Sequence, residues 1–316
     1  MGLTLASGRR PIAVMMTRSL RIGFLGLLSL LPVCGSAVAT TMEFDGFQRS
    51  FEMSVPATAP RPLPVVLVLH GGGGTSSQMR TYSHFDDIAQ SQGVLAVYPQ
   101  GLGRHWNDGR AAPGVLPHSE DADDVAFLMA VVDSLARTGL ADPHRVYVAG
   151  ISNGGMMALR LACELPERVA GIAVVAANMP VGLECAPSRP VPAMFFHGSE
   201  DRFIPWDGGD ILQWANIDRG KVLSVDDTLS LWQRIDGCSG DEQEETVTKG
   251  PHLSSQRITS PKCKGAPVIH YVTQGGGHVW PGARQGPGGD ALLGAVDHDL
   301  DATGLIWDFF KSLPSR

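Results

Sequence analysis

An α/β fold on a mostly parallel, doubly wound sheet is predicted by three observations. From Pro64 onward, short continuous apolar runs alternate with longer amphipathic segments. Several of the runs end in glycine-rich turns that lead directly into helical patterns. The chain has 316 residues, 43% hydrophobic and 18% charged, which is enough apolar content to fill one large core. An unbroken apolar run fits a strand buried on both faces, and the strand–helix alternation implies right-handed crossovers between parallel strands.

Each element follows in order. Val65-Val66-Leu67-Val68-Leu69 is the first buried strand, and it stops at His70-Gly71-Gly72-Gly73-Gly74. A helix is predicted over 83–91, with Phe85, Ile88 and Ala89 on one side. Val94 to Tyr98 forms a second strand, stopped by Pro99, and the Gly- and Pro-rich stretch 100–120 reads as a long surface loop. Residues 121–137 form a helix, because Val125, Leu128, Met129, Val132 and Leu135 follow a helical period and acidic residues occupy its first turn. The strand 145–149 runs into Gly150-Ile151-Ser152-Asn153-Gly154, and a helix follows over 155–163. Buried strands are expected at 169–176 and 193–196, an irregular span at 202–223 and a helix at 226–235. A late strand at 269–273 and a closing helix at 303–311 complete the pattern. One domain over 40–316 is the simplest organisation.

The first 39 residues differ from the rest. They carry Arg9, Arg10, Arg18 and Arg21 without an acidic residue, then an apolar run from Ile22 to Val33, then Ala37-Val38-Ala39. These are the three parts of a secretory signal peptide cleaved near Ala39, with Met15 or Met16 as an alternative start. The run is too short to span a membrane as a helix, so a secreted or periplasmic destination is expected. Beyond Cys34, four cysteines remain, an even number that favours two disulfides in an exported chain. Three pairings are possible, and local order favours Cys163–Cys185 and Cys238–Cys263. The net charge of −7 and the lack of Lys/Arg runs argue against nucleic acid as a partner.

Gly150-Ile151-Ser152-Asn153-Gly154 places a serine on a tight strand-to-helix turn, where glycines allow backbones to crowd and the hydroxyl stands above the sheet. A serine hydroxyl needs a base, and in an α/β-hydrolase fold the chain order is nucleophile, acid, histidine. Among the histidines after Ser152, His278 lies on a glycine-rich loop just after a predicted strand, with His298 second. The acid must fall between the two. Asp201 follows the strand 193–196, at a strand's C-terminal end where open sheets keep their sites, ahead of Glu200 and Asp207. Two backbone donors are needed for the oxyanion: the amide of Asn153, and one from the glycine loop, placed at Gly72 with Gly71 as the alternative. The tetraglycine does not read as a phosphate loop, since no Gly-Lys-Ser/Thr follows.

His70 through Gly74, Trp106-Asn107-Asp108, Val146 through Met157, His197 through Pro205 and Gly277-His278-Val279-Trp280-Pro281-Gly282 occur in one order. Together they resemble the polyhydroxybutyrate depolymerase and feruloyl esterase group of secreted α/β-hydrolases, over about residues 42–310. The resemblance implies a serine carboxylic-ester hydrolase with the triad Ser152, Asp201 and His278 and an oxyanion hole at Gly72 and Asn153. It implies hydroxyalkanoate esters or oligomers as substrates, with feruloyl or acetyl xylan esters as the alternative, and no metal or organic cofactor. It also suggests that Trp106, Trp206 or Trp280 contacts the substrate at the mouth, against the plainer reading that they pack. The span 202–223 and the loop 100–120 are expected to shape substrate choice. A peptidase or acyltransferase using the same machinery, and a non-catalytic secreted binding domain, are the rival readings. The acidic clusters 120–124 and 297–301 lack calcium-loop spacing and read as solvated helix starts.

Overall fold

The computed structural model describes residues 39–110, 122–212, 215, 218–286 and 288–314. The expected signal peptide up to Val38, residues 111–120 of the loop 100–120 and the start of the first acidic cluster therefore lie outside the described residues.

Ten strands form one sheet. In chain order they begin with β1 (Thr40–Phe44), β2 (Phe47–Ser54), β3 (Leu63–Leu69), β4 (Leu95–Pro99), β5 (Ala141–Ile151), β6 (Gly171–Val175) and β7 (Ala193–Gly198). A two-stranded excursion of β8 (Gly209–Asp210) and β9 (Lys221–Val222) precedes β10 (Gln243–Lys249), β11 (Ser254–Ser260) and β12 (Val268–Gln274). The large sheet has the order β1-β2-β4-β3-β5-β6-β7-β12-β11-β10. The six strands from β4 to β12 are mutually parallel, while β1–β2 and β10–β11 join antiparallel at the two edges. This is the predicted mostly parallel, doubly wound α/β-hydrolase sheet.

Side-chain alternation explains why the central strands read as unbroken apolar runs. Val65, Leu67 and Leu69 of β3 join Val146 and Val148 of β5 in a core on one face. There they meet α3 (Asp124–Arg137) through Leu128 and Val132, and α4 (Asn153–Glu164) through Met157 and Leu161. Val66, Val68, Tyr147 and Ala149 point the other way. They meet Phe85 and Ala89 of α2 (Phe85–Gln92) and Ile306 and Phe310 of α7 (Ala302–Ser312). Successive strand residues face opposite layers, so both sets must be apolar.

Several boundaries differ from expectation. The helix predicted over 83–91 is two, α1 (Ser76–Ser83) and α2, broken at His84, which takes a left-handed conformation at φ 55°. α1 buries only Met79 among its apolar residues, so it leaves little periodic signal. The helix 226–235 is α5 (Val225–Asp236), started by the Ser224 hydroxyl accepting from Asp227 N and stopped at Gly237 with φ 61°. The four edge strands and the short α6 (Gly289–Leu293) were not anticipated. Both expected disulfides are present: Cys163–Cys185 ties the end of α4 to the loop before β7, and Cys238–Cys263 closes the segment after α5.

Candidate active site

β5 ends at Ile151 and α4 begins at Asn153, leaving Ser152 alone at the turn with φ 57° and ψ −126°. A non-glycine residue in such a region carries strain of order 1–3 kcal/mol, so its surroundings must over-determine it. They do. Ser152 N–H donates to Val175 O at 2.9 Å, and Ser152 O accepts from Met156 N at 2.9 Å. A Cβ on Gly150 would stand 2.3 Å from Gly154 O, and one on Gly154 would stand 2.4 Å from Leu69 O. Both flanking glycines are therefore fixed by close backbone approach.

Asp201 lies on the turn after β7. Its Oδ1 accepts from the amides of Phe203 (2.8 Å) and Ile204 (2.9 Å), which aims Oδ2 at His278 Nδ1, 2.8 Å away. His278 sits on the loop after β12, with its own amide donating to Leu293 O at 2.6 Å. The Phe203 ring stacks on the imidazole, centroids 4.8 Å apart and planes 17° from parallel. The Asp201 and His278 side chains are only 5% and 8% exposed. With Nδ1–H donated to the carboxylate, Nε2 is left as the basic nitrogen. Ser152 and His278 line the same cavity, of about 920 Å³.

The glycine loop and the start of α4 form the wall opposite. The amides of Gly73 and Gly74 are used, by Arg104 O and Gly71 O. Those of Gly71, Gly72 and Asn153 have no backbone acceptor among the described residues, and all three residues line the cavity, so Gly72 and its alternative Gly71 are both available. His70 pins this loop. Its Nδ1 donates to Gly71 O (2.8 Å), while Nε2 accepts from Gly101 N (3.0 Å). Burial pushes its pKa down to about 4, so the ring stays neutral and keeps one donor and one acceptor.

The Asn153 side chain is a latch. Its Oδ1 accepts from Trp106 N (2.8 Å), and its Nδ2 donates to Trp106 O (2.9 Å) and Asp108 Oδ2 (2.6 Å). Asn107 N in turn donates to Asp124 Oδ2 at 2.8 Å, and Asp124 is paired in the core with Arg49. The Trp106-Asn107-Asp108 block thus holds the residue after Ser152 in register with the glycine loop. Sequence reasoning identified the block and His70 only as parts of a resemblance; their hydrogen-bonding roles had no signal of their own. Phe203, His105 and Arg219 were missed, and all three line the cavity.

The three tryptophans expected at the mouth are elsewhere. Trp106 is fully buried and donates its Nε1–H to His70 O at 2.9 Å. Trp280 is buried against Phe85 and donates to Thr303 Oγ1 at 3.0 Å. Trp206 lies beside the His197–His270 pair, with ring centroids 6.1 Å from each. None lines the cavity, so the packing reading replaces the substrate-contact one. His298 is not brought to the site; its neighbour Asp297 accepts from the hydroxyls of Ser255 (2.7 Å) and Thr248. Among the described residues no group of three or more His, Cys, Asp or Glu is arranged to hold a metal ion.

A parallel sheet crossed by α-helices, with a serine at a strained strand–helix turn and a carboxylate–imidazole pair opening on the same cavity, defines a serine-hydrolase-type enzyme. The chain belongs to the alpha/beta hydrolase family, whose sequence profile matches residues 65–297. It is 34% identical over 290 residues to a putative esterase, NocK, of Nocardia uniformis subsp. tsuyamanensis, covering 87% of this chain and 82% of that protein. It is 27% identical over 271 residues to feruloyl esterase B of Piromyces equi, covering 81% of this chain but 44% of that protein. To a poly(3-hydroxybutyrate) depolymerase of Ralstonia pickettii it is 31% identical over 282 residues, covering 81% and 54% respectively. The chain thus spans about half the length of the last two.

Proposed function

We propose that this chain is an exported serine carboxylic-ester hydrolase that works through an acyl-enzyme on Ser152. The observation that carries the reading is the Asp201–His278 pair at 2.8 Å opening on the same cavity as the strained Ser152. His278 Nε2 takes the Ser152 proton as Oγ attacks the ester carbonyl, and Asp201 fixes the tautomer and stabilises the imidazolium. The amides of Gly72 and Asn153 receive the charge that develops on the carbonyl oxygen. The protonated His278 returns its proton to the leaving alcohol. Water, activated by the same nitrogen, then releases the acid and frees Ser152.

Feruloyl- or acetyl-xylan-type small esters are the favoured substrate class, supported by the feruloyl esterase relative and by a cavity of small-molecule size. The hydroxyalkanoate reading is second, and the depolymerase relative supports it. Two disulfides support export, because such bonds persist in oxidising compartments.

The test is turnover of 4-nitrophenyl acetate and butyrate, methyl ferulate and a hydroxybutyrate oligomer by the parent chain and by Ser152→Ala. Loss of about 10⁴-fold or more in the variant is expected. Turnover that survives the substitution would remove Ser152 as nucleophile. Amide cleavage without ester preference would point to a peptidase, and no turnover of any ester by the parent would favour a binding role.

A further inference from the structure

The protein is acidic overall, at −7, yet the cavity wall has the opposite sign. Arg110, Arg219 and Arg284 line it, and no Asp or Glu is among the described lining residues. The three arginines differ in how their charge is met. Arg110 is paired with the buried Asp108, Nε to Oδ2 3.1 Å, though off hydrogen-bond alignment. Arg284 stands at the exposed rim. Arg219 is half-buried on the loop between β8 and β9, and it has no carboxylate within ion-pair distance among the described residues. Its Nε is buried without any hydrogen-bond partner.

The guanidinium lines the cavity, and a carboxylate bound there would meet it with charge-assisted, fork-shaped hydrogen bonds. The position suits a substrate group. The His105 ring lies against Gly72, where an added Cβ would stand 3.1 Å from its Nε2. Arg219 and Arg110 are close enough to His105 to help hold its pKa below the usual imidazole value, after burial as the main cause. The cationic wall therefore adjoins the glycine loop that faces the reacting carbonyl. Ile211 and Leu212, at the start of the loop between β8 and β9, and Phe203 supply apolar surface for the chain between ester and anion.

We infer that Arg219 forms a carboxylate subsite, so that the enzyme prefers esters carrying a free carboxylate a few bonds from the scissile carbonyl. This rests on the reading of the cavity as an ester-hydrolase site. Two sources of the carboxylate are distinguishable, the acyl chain and the alcohol. Monomethyl adipate against dimethyl adipate tests the first, and release of acetate from 3-acetoxybutyric acid against its methyl ester tests the second. In at least one pair the free acid should have a kcat/KM about tenfold or more above the neutral ester. Arg219→Gln should reduce that ratio about tenfold or more, mainly through KM, with Arg219→Lys recovering part of it. Added salt should lower the ratio in the parent. Equal use of acid and neutral ester in both pairs, or a ratio unchanged by Arg219→Gln, would overturn the subsite.

Binding separates this failure from failure of the ester-hydrolase reading. Calorimetry of monomethyl adipate and of 3-acetoxybutyrate with Ser152→Ala needs no turnover. Heat of binding that disappears in the Ser152→Ala/Arg219→Gln double variant supports the subsite even if no ester is cleaved. Equal binding by the two variants, or none by Ser152→Ala, counts against it.

Discussion

Ser152 is held where few non-glycine residues settle, at the turn that sets it on the cavity His278 also lines. The cost is borne by the fold. A residue without Cβ relaxes at that φ, so Ser152→Gly is expected to unfold at higher urea, with a gain of about 1 kcal/mol, while losing ester turnover. Equal or lower stability would mean that the Ser152 hydroxyl contributes more to the fold than its backbone costs. Asp201 shows the complementary arrangement. Two amides anchor one oxygen, so the other meets His278 in a single orientation rather than a range of them. Asn153 works at the same scale, its side chain spent on Trp106 and Asp108 while its amide has no backbone acceptor among the described residues.

At the scale of elements, the central strands carry the stability. Leu67, fully buried in the core that also takes in residues of α3 and α4, illustrates the point. Leu67→Ala removes apolar area and leaves a cavity between layers that cannot close, so a loss of about 2–5 kcal/mol is expected in denaturant unfolding. This part of the molecule was also the most legible in the sequence, because a strand covered on both faces must be apolar at every position. The order Ser152, Asp201, His278 was legible for a related reason: each residue follows a readable strand and sits among glycines that geometry demands. The edges were not legible. β10 is polar almost throughout, so nothing marks it as a strand. The β1–β2 hairpin did carry a signal, since Asp45-Gly46 is a two-residue turn with both φ positive, but its strands mix polar and apolar residues. The tryptophans misled because a large aromatic beside a motif is as useful for wedging loops as for touching substrate. Arg219 had no signal, because the sequence does not show which arginines lack partners.

For the whole molecule, buried titratable groups set opposing pH responses. His70 and His197, each pushed down to about 4 by burial, stay neutral in the fold. Below about pH 6.5 the unfolded chain protonates them first, so their share of stability falls as pH drops toward 4. Asp236 acts in the other direction. Burial raises it to about 7, with only Val191 N donating to Oδ1 and Oδ2 unpaired. Between about pH 4 and pH 7 the unfolded chain loses this proton first, so stability falls as pH rises through that window. Asp236→Asn keeps the acceptor for Val191 and has no proton to lose. The stability of the variant relative to the parent should therefore grow from near zero at pH 4 to at most about 4 kcal/mol above pH 7, read from urea midpoints across pH. A difference that stays constant with pH would show that Asp236 does not titrate in that range.

The ten-stranded sheet ends in β1 on one side and β10 on the other, and an open strand edge is a template on which another chain can add. β10 carries Glu244 and Glu245, and its ladder is interrupted at Val247, between Thr246 and Thr248. Like charges repel an identical strand laid alongside, and the irregular spacing spoils its register. That border is therefore a poor template for sheet-to-sheet stacking, so fibril growth from β10 is disfavoured even in a concentrated solution.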